Sequence, residues 1–209
     1  MFKWKMYNHA IIPDEAPYAE PNKDDICKAC RMKGLFVKYT TNLDCNNATD
    51  WWYVIKDGNF DLSELKAKHR YEINSGLKNI DVKIINAENY SKELYDVYIS
   101  ATNSYSGFKN SATYENFKAK CDNYKKTEFY YGAFQKSTNI LVGYALCVVH
   151  DDYVEFQVLK IDPKYLKLKA SAAIVYTLLT DYLSKENIKF ICDGERSIRH
   201  KTHFQDYLE

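Results

Sequence analysis

Glycine and long apolar runs are both scarce in this sequence. Seven of its 209 residues are glycine and four are proline. No apolar run approaches the roughly 20 residues that a membrane-spanning helix needs, and the start, Met1–Tyr7, lacks the apolar centre of a signal peptide. We therefore expect a cytoplasmic protein without a membrane span.

Neither sign of charge is in excess. The chain carries 29 basic and 28 acidic residues, for a formal net charge of +1. This balance gives no global attraction to nucleic acid or to an anionic membrane, although local basic clusters could still bind phosphate groups. Hydrophobic residues make up 46% of the chain, which is enough for a sizeable core.

The six cysteines do not suggest a metal site. Cys27 and Cys30 form a lone C-x-x-C pair, and no second pair at a suitable spacing completes a zinc-binding set. The segment Asn22–Lys33 is predicted to be a short helix, so the two thiols are interpreted as an incidental helical pair. In the cytoplasm all six thiols are expected to be reduced.

The second half of the chain predicts a run of strands followed by a helix. Asp162-Pro163 opens the helix, and a last strand leads into Asp193-Gly194. The fold class predicted from this order is α/β (α+β), with a mixed sheet flanked by helices. The strands are expected at Phe129–Phe134, Ile140–His150, Tyr153–Ile161 and Ile188–Cys192.

The first half predicts a smaller and less regular lobe. A capping box at Asp61–Glu64 is expected to open a helix. We place the domain boundary near residue 80, so that residues 1–80 form a degenerate N-terminal lobe and residues 81–209 the second domain. The further elements expected are strands at Leu35–Thr40, Trp51–Lys56 and Asp81–Ile85 and helices at Ser91–Ser104 and Tyr114–Tyr124.

The last eleven residues, Arg199–Glu209, are predicted to be helical. A sheet of this type usually needs a further strand beyond that helix. Either the chain is a shortened form, or another element covers the exposed sheet edge.

The connection between Ile161 and the long helix is rich in lysine and contains no glycine. A helix N-terminus binds pyrophosphate well when glycines let the ligand reach the backbone. Cations at that end oppose the helix dipole, so these lysines either neutralise the phosphates of a donor or form a solvated first turn. The candidate cofactor-binding residues are Lys160, Lys164, Lys167 and Lys169.

Polar residues directly after the last strand form the candidate catalytic cluster. Open α/β sheets bind ligands beyond the carboxyl ends of their strands. Arg196 could clamp a phosphate or carboxylate, and His200 could remove a proton from an acceptor, with Asp193 beside them. The alternative is a capped, solvated helix start, in which Ser197 is the N-cap.

Two further groups of residues have alternative interpretations. Trp51 and Tyr53 share one side of a predicted strand and, together with Ser197, are the candidate substrate-binding residues. His200 and His203 could bind a metal with Asp206. Nothing else in the chain supports a metal, and none is predicted.

Three segments of the second domain resemble the GNAT acyltransferase superfamily. They are Tyr130–Phe134 (Y-Y-G-A-F), Leu141–Ala145 (L-V-G-Y-A) and Ile161–Tyr165 (I-D-P-K-Y). GNAT enzymes commonly follow the last motif with a basic, glycine-rich pyrophosphate loop. Here Leu166–Ser171 occupies the matching positions with bulkier residues. The resemblance implies a GNAT-like fold and an acyl-CoA donor, although no bound cofactor is required.

The whole chain is more similar to the FemAB-type branch, through Leu65–Lys78 and Asp81–Lys83. Proteins of that branch pair two GNAT-like lobes without the glycine loop and transfer amino acids from charged tRNA to cell-wall precursors. The segment Asp193–Asp206 also resembles the ends of uncharacterised bacterial proteins. The likeness implies aminoacyl-tRNA as an alternative donor, and it makes tRNA a candidate partner.

The function predicted is acyl or aminoacyl transfer to an amine or hydroxyl acceptor. The acceptor would be a small molecule, a glycan or peptide, or a cell-envelope precursor. The competing hypothesis is a catalytically inactive GNAT fold that serves as a binding or scaffold protein, which the glycine-free connection favours.

Overall fold

The computed structural model describes residues 2–42, 45, 53–104 and 112–195, with the backbone alone at 53–55 and 195. The described residues fall into two compact units, one comprising residues 2–53 and Glu195 and the other residues 54–194. The boundary expected near residue 80 falls inside the second unit, because the helix before it packs on the long helix of that unit. That residues 1–80 form a degenerate lobe stays a prediction.

From the helix after Asn22 onwards, the regular elements follow the order expected from the sequence. The two strands at Trp4–Tyr7 and Ala10–Pro13 lie in a segment, residues 1–20, that the sequence predicts to be irregular, and this prediction is wrong because the two residues Asn8 and His9 form a hairpin turn. Short 3₁₀ segments occur at Leu62–Glu64, Ala87–Tyr90 and Pro163–Leu168. The helices are α1 (Lys23–Ala29), α2 (Ala67–Asn79), α3 (Ser91–Asn103), α4 (Tyr114–Asp122) and α5 (Ala170–Leu183). The strands are β1 (Trp4–Tyr7), β2 (Ala10–Pro13), β3 (Phe36–Val37), β4 (Tyr53–Asp57), β5 (Ile80–Ile85), β6 (Glu128–Gln135), β7 (Leu141–Val149), β8 (Tyr153–Ile161) and β9 (Phe190–Glu195).

The first unit contains a small sheet of order β1-β2-β3. Strands β1 and β2 are antiparallel, and β3 runs parallel to β2 through two residue pairs. The strand expected at Leu35–Thr40 is therefore shorter than predicted. Helix α1 begins after Asn22, whose side chain accepts a hydrogen bond from the Asp25 N–H at 2.9 Å.

The second unit contains a six-stranded sheet of order β4-β9-β8-β7-β6-β5. Strands β5 to β8 form antiparallel neighbours. Short turns join β6 to β7 and β7 to β8, whereas α3 and α4 lie between β5 and β6. Strand β9 lies parallel to β8, so the chain crosses over between them through α5. The mixed α/β fold class expected from the sequence is confirmed.

Two apolar clusters cover the two faces of this sheet. One includes Ala173, Ile174 and Leu178 of α5, together with Tyr131 and Val154 of the sheet. The other packs Leu94 and Val97 of α3 against Tyr130, Phe134 and Tyr144. Because helices lie on both faces, the middle strands are apolar on both sides and are buried nearly throughout.

The capping box at Asp61–Glu64 is present, but it caps the N-terminus of a 3₁₀ turn rather than the N-terminus of α2. The Asp61 carboxylate accepts from the Ser63 N–H at 2.7 Å, and the Glu64 carboxylate accepts from the Asp61 N–H at 3.2 Å. Leu65 then takes an extended conformation, with ψ near 152°. The helix predicted directly after the box therefore begins later, at Ala67.

Candidate active site

Strands β8 and β9 pair over only part of their length. The parallel ladder joins Tyr153–Glu155 to Phe190–Cys192. Among the residues that the structure describes, the ladder does not continue along Phe156–Ile161 of β8. We call the space after Glu155 and Cys192 the β8–β9 opening. It lies at the carboxyl side of a parallel strand pair, where α/β sheets hold ligands.

A β-bulge lies on β8 next to this opening. Leu146 of β7 pairs with Val158, whereas Cys147 pairs with Phe156, so Gln157 has no counterpart in β7. The bulged residue leaves the ladder and re-aims the local backbone. The bulge lies in the stretch of β8 that has no β9 partner among the described residues.

Glu155 is the carboxylate nearest to the bulge. Its Oε2 atom accepts a hydrogen bond from Gln157 Nε2 at 3.2 Å and lies 3.6 Å from His150 Nε2. A Cβ atom built on Gly194 of β9 would lie 3.8 Å from Glu155 Oε1, so glycine leaves space beside the carboxylate. The Glu155 side chain is 34% exposed, which keeps it open to solvent.

His150 is held by a column of stacked rings. Its ring lies 4.1 Å from that of Tyr153 and within 5° of parallel, and Tyr153 stacks on Phe190 at 5.2 Å. The backbone N–H of His150 also donates to the backbone carbonyl of Tyr153 at 2.9 Å. The Nε2 atom is buried and has no hydrogen-bond partner among the described residues, which leaves the carboxylate of Glu155 as the acidic group beside it.

The buried thiols near the opening are poor nucleophiles. Burial, reinforced by the charge of Glu155, raises the pKa of Cys192 to about 12. The same two causes raise the pKa of Cys147 well above its usual range. Because the thiolate is the reactive form, a covalent intermediate on either cysteine is disfavoured near neutral pH.

The structure brings one of the three candidate catalytic residues to this opening. Asp193 lies on β9 one position after Cys192 and is half-buried. Arg196 and His200 lie outside the described residues, as do Ser197 and Trp51, and Tyr53 is described only as backbone of β4. The catalytic and substrate-binding roles of all six stay predictions.

The sequence interpretation did not single out Glu155, Gln157 or His150. A usable signal existed, because Glu155 and Gln157 are two polar residues inside the otherwise apolar strand Tyr153–Leu159. Polar groups in a buried strand need a partner or a role. The proximity of His150 to Glu155 depends on the β7–β8 hairpin register and could not be read from spacing alone.

The connection from β8 to α5 takes the backbone geometry of a glycine turn without a glycine. Asp162 begins the 3₁₀ segment; its Oδ1 accepts from the Lys164 N–H at 3.1 Å and from Ser100 Oγ at 2.8 Å. Lys169 has φ 57° and ψ 37°, in the left-handed region, and is the N-cap of α5. Non-glycine residues seldom adopt this conformation.

Helix α2 packs directly on this end of α5. Lys169 Nζ donates to Glu72 Oε1 at 2.8 Å, and this hydrogen bond lowers the pKa of Glu72 below its usual value. A Cβ atom built on Gly76 would lie 2.6 Å from the Lys169 carbonyl oxygen, so only glycine permits the observed approach of α2. The ammonium of Lys169 is thus already paired within the protein.

The other candidate cofactor-binding lysines differ in their surroundings. Lys164 and Lys167 are exposed, and no ion pair with another described residue involves either of them. Lys160 is half-buried and interacts with its surroundings. Binding of a cofactor by these lysines stays a prediction. Within the described residues no cluster of three metal-ligating side chains occurs.

Comparisons with known proteins identify the fold rather than a family. No family model matches the chain, and no curated protein matches it. The described helices include none that is both long and apolar enough to cross a membrane. The assignment therefore depends on solved structures.

Three solved structures illustrate the likeness. L-PGS from Bacillus licheniformis aligns with a TM-score of 0.52 and 10% identity over 96% of this chain and 67% of its own. The C-terminal domain of a protein described as a lysylphosphatidylglycerol synthetase from Agrobacterium fabrum aligns with a TM-score of 0.55 and 10% identity, over 95% and 68%. A ribosomal-protein-alanine N-acetyltransferase from Brucella melitensis reaches a TM-score of 0.44 and 12% identity, over 62% and 88%.

At these identities the likeness shows the fold alone. The chain shares its fold with the L-PGS structure and with the Agrobacterium synthetase domain, and the mixed sheet flanked by helices that the sequence predicts is present. The closer relation to the FemAB branch stays a prediction.

Proposed function

We propose that the protein is an acyl- or aminoacyltransferase that acts on an amine or hydroxyl acceptor at the β8–β9 opening. The observation that carries this proposal is the position of the Gln157 bulge, in a stretch of β8 that has no β9 partner among the described residues, directly beside the carboxylate of Glu155. Acyl transfer needs a group that polarises a carbonyl and a base that takes a proton. In this proposal the backbone at the bulge polarises the carbonyl, and Glu155 is the base.

In the proposed reaction, a backbone amide at the bulge polarises the donor carbonyl. The acceptor nitrogen or oxygen forms the new bond to the carbonyl carbon, while the carbon–sulfur bond of a thioester or the carbon–oxygen bond of an aminoacyl ester breaks. Glu155 takes the acceptor's proton and passes it to the departing thiolate or ribose alkoxide, which leaves as the thiol or the ribose hydroxyl. The high pKa of Cys192 and of Cys147 favours this direct transfer over a cysteine intermediate.

The length of β8 limits the shape of the donor. Ile161 lies six positions after Glu155, which is about 20 Å of extended strand. Lys164 and Lys167 follow on the 3₁₀ segment. A donor that uses both regions needs its phosphates and its acyl carbon at opposite ends of an extended arm. Acyl-CoA and the acylated end of a tRNA both have this form.

The ion pair between Lys169 and Glu72 makes the N-terminus of α5 a poor phosphate site by itself. The phosphates of a donor are therefore proposed to contact residues outside the first turn of α5 as well. Helix α2 places a carboxylate at this end of α5, where a donor phosphate would otherwise be attracted. Of the four candidate lysines, Lys164 and Lys167 are the exposed ones that form no ion pair with a described residue, and they are the proposed phosphate contacts. The acceptor is proposed to be a cell-envelope precursor, in keeping with the lysylphosphatidylglycerol synthetase domains that share the fold.

Thermal-shift titration tests the donor. Acetyl-CoA, longer acyl-CoAs and free CoA are added separately, because a ligand that binds the native state raises the melting temperature. Binding of a charged tRNA mixture is measured separately, by filter binding. We expect saturable binding of one donor class, abolished in Lys164→Ala/Lys167→Ala. The matched control Lys120→Ala/Lys125→Ala removes two exposed lysines from another surface.

A binding or scaffold role is the second candidate, because the connection before α5 has no glycine and Lys169 is already neutralised by Glu72. It predicts a well-folded protein that binds neither donor class. That result would contradict the transferase proposal.

A further inference from the structure

Large apolar side chains are exposed together at one end of the small sheet in the first unit. The exposed fractions are 81% for Leu35, 60% for Tyr7, 55% for Met6 and 49% for Phe36. Tyr7 pairs with Ala10, and Ala10 pairs with Phe36, so Tyr7 and Phe36 flank a buried alanine on one face. Met6 pairs with Ile11 and therefore lies on the other face, next to the same turn. Several large apolar side chains exposed around one turn indicate a site of interaction.

Two turns fix the position of this apolar end. Asn8 and His9 both have positive φ, 48° and 68°, as a tight two-residue hairpin turn requires. The Leu35 N–H donates to the His9 carbonyl at 2.8 Å. A Cβ atom on Gly34 would lie 2.6 Å from Ile11 Cγ1, so glycine allows the second turn to lie against the hairpin.

The charges around the apolar end are of one sign. Residues 2–10 and 31–39 contain no Asp or Glu, although the whole chain is nearly neutral. The acidic residues of the hairpin, Asp14 and Glu15, follow Pro13 at the opposite end, where Asp14 pairs with Lys5 at 2.9 Å. The basic residues in the two segments are Lys3, Lys5, Arg31, Lys33 and Lys38. Lys3 and Lys5 lie at the end of the hairpin that carries Asp14 and Glu15, so the charges assigned to the apolar end are those of Arg31, Lys33 and Lys38.

This composition favours a lipid surface over a protein partner. Protein interfaces are depleted in lysine, whereas two of the three basic residues in the segment 31–39 are lysine. Long basic side chains can keep their charge at the headgroups while neighbouring apolar groups insert below them. Tyrosine suits the same boundary because its ring is apolar and its hydroxyl polar.

We propose that the apolar end, formed by Met6, Tyr7, Leu35 and Phe36 with Arg31 and Lys33 beside it, docks the protein on the surface of an anionic lipid bilayer. The bilayer contact is peripheral: the apolar side chains enter the interface and the basic ones contact phosphate headgroups. The inference does not depend on the transferase proposal, since it uses only residues of the first unit.

Vesicle co-sedimentation tests this docking. We expect the full chain to bind vesicles of equimolar phosphatidylcholine and phosphatidylglycerol at low salt and to bind pure phosphatidylcholine weakly. Each basic residue removed near an anionic surface should lower binding about fivefold. Arg31→Gln/Lys33→Gln should therefore bind far less than Lys120→Gln/Lys125→Gln, which loses the same net charge elsewhere.

Apolar insertion needs a separate pair of variants. Leu35→Asp and Tyr7→Asp should lose vesicle binding, while Tyr71→Asp, at a position of α2 that is 68% exposed, should lose far less. Circular dichroism and melting temperature check that each variant is folded. Unchanged binding of Leu35→Asp, no binding of the wild type, or a dimer in solution that Leu35→Asp dissociates would each overturn the proposal.

Discussion

Lys169 and Glu72 form a 2.8 Å ion pair that connects the N-cap of α5 to the middle of α2. The carboxylate is 15% exposed and the ammonium 36% exposed, so the pair is partly shielded from water. A negative charge near a helix N-terminus is also favourable. The pair thereby stabilises a left-handed lysine at a position where glycine would be the ordinary choice.

Glu72→Gln should lower the free energy of unfolding by about 1 kcal/mol at neutral pH, a modest value because solvent screens the half-exposed lysine. The pKa of Glu72 is lowered from 4.5 by its hydrogen bond from Lys169. Its contribution is therefore complete above the unfolded pKa and is lost as the pH falls through the folded one. The free energies of unfolding of the wild type and of Glu72→Gln should therefore approach each other as the pH falls. Urea unfolding of the two proteins from pH 7 down to pH 3 measures this.

The matched control is Glu64→Gln. Glu64 pairs with Lys56 at 3.3 Å but is 48% exposed. A loss as large as that of Glu72→Gln would show that burial is not what gives the Glu72 pair its strength.

Gly76→Ala should destabilise the protein although alanine is the better helix former by about 1 kcal/mol. The added Cβ would lie 2.6 Å from the backbone oxygen of Lys169, so α2 and α5 must separate. Asn74→Ala, at an exposed position of the same helix, should be neutral or slightly stabilising. Denaturant midpoints of the two variants, compared at an unchanged m-value, decide the question.

Glu155→Gln should abolish most of the transfer activity while leaving donor binding intact. Loss of a general base typically lowers the rate about a hundredfold or more, and the amide keeps the size of the side chain. Release of free thiol or of deacylated tRNA from the donor that binds measures the rate. Full activity of this variant would remove Glu155 from the mechanism.

His150→Phe tests the neighbouring histidine. Phenylalanine keeps the stack on Tyr153 but removes the Nε2 atom that lies 3.6 Å from Glu155. If His150 positions the carboxylate, the variant should retain its melting temperature and show a smaller rate loss than Glu155→Gln. A fall in melting temperature with an unchanged rate would assign His150 to stability alone.

The six thiols should separate into two classes. Cys27, Cys30 and Cys45 are exposed and should react with Ellman's reagent in the native protein. Cys121, Cys147 and Cys192 are buried, and burial raises the pKa of Cys121 to about 11. They should react only in denaturant. Rapid native labelling of more than three thiols would contradict the packing described here.

The strands of the second unit could be predicted closely because their local signals agree. The predicted bounds of Tyr153–Ile161 are those observed, and the bounds of β6 and β7 differ from the prediction by one residue at each end. The last strand, predicted at Ile188–Cys192, instead spans Phe190–Glu195. Apolar runs of this length, separated by turn residues, leave few alternatives. The start of α2 could not be predicted as closely, because the capping box at Asp61 caps a short 3₁₀ turn and α2 begins only at Ala67.

The sequence by itself determined the order of the elements from α1 onwards and the glycine-free connection, because each depends on neighbouring residues, whereas the hairpin of β1 and β2 was not predicted. Only the tertiary structure placed Glu155 beside His150 and Gln157, paired Lys169 with Glu72, and assembled Tyr7, Leu35 and Phe36 at one end of a sheet. These contacts depend on strand register and helix packing. A shift of one residue in register reverses every side chain on a strand, and no local pattern specifies which distant residues then meet.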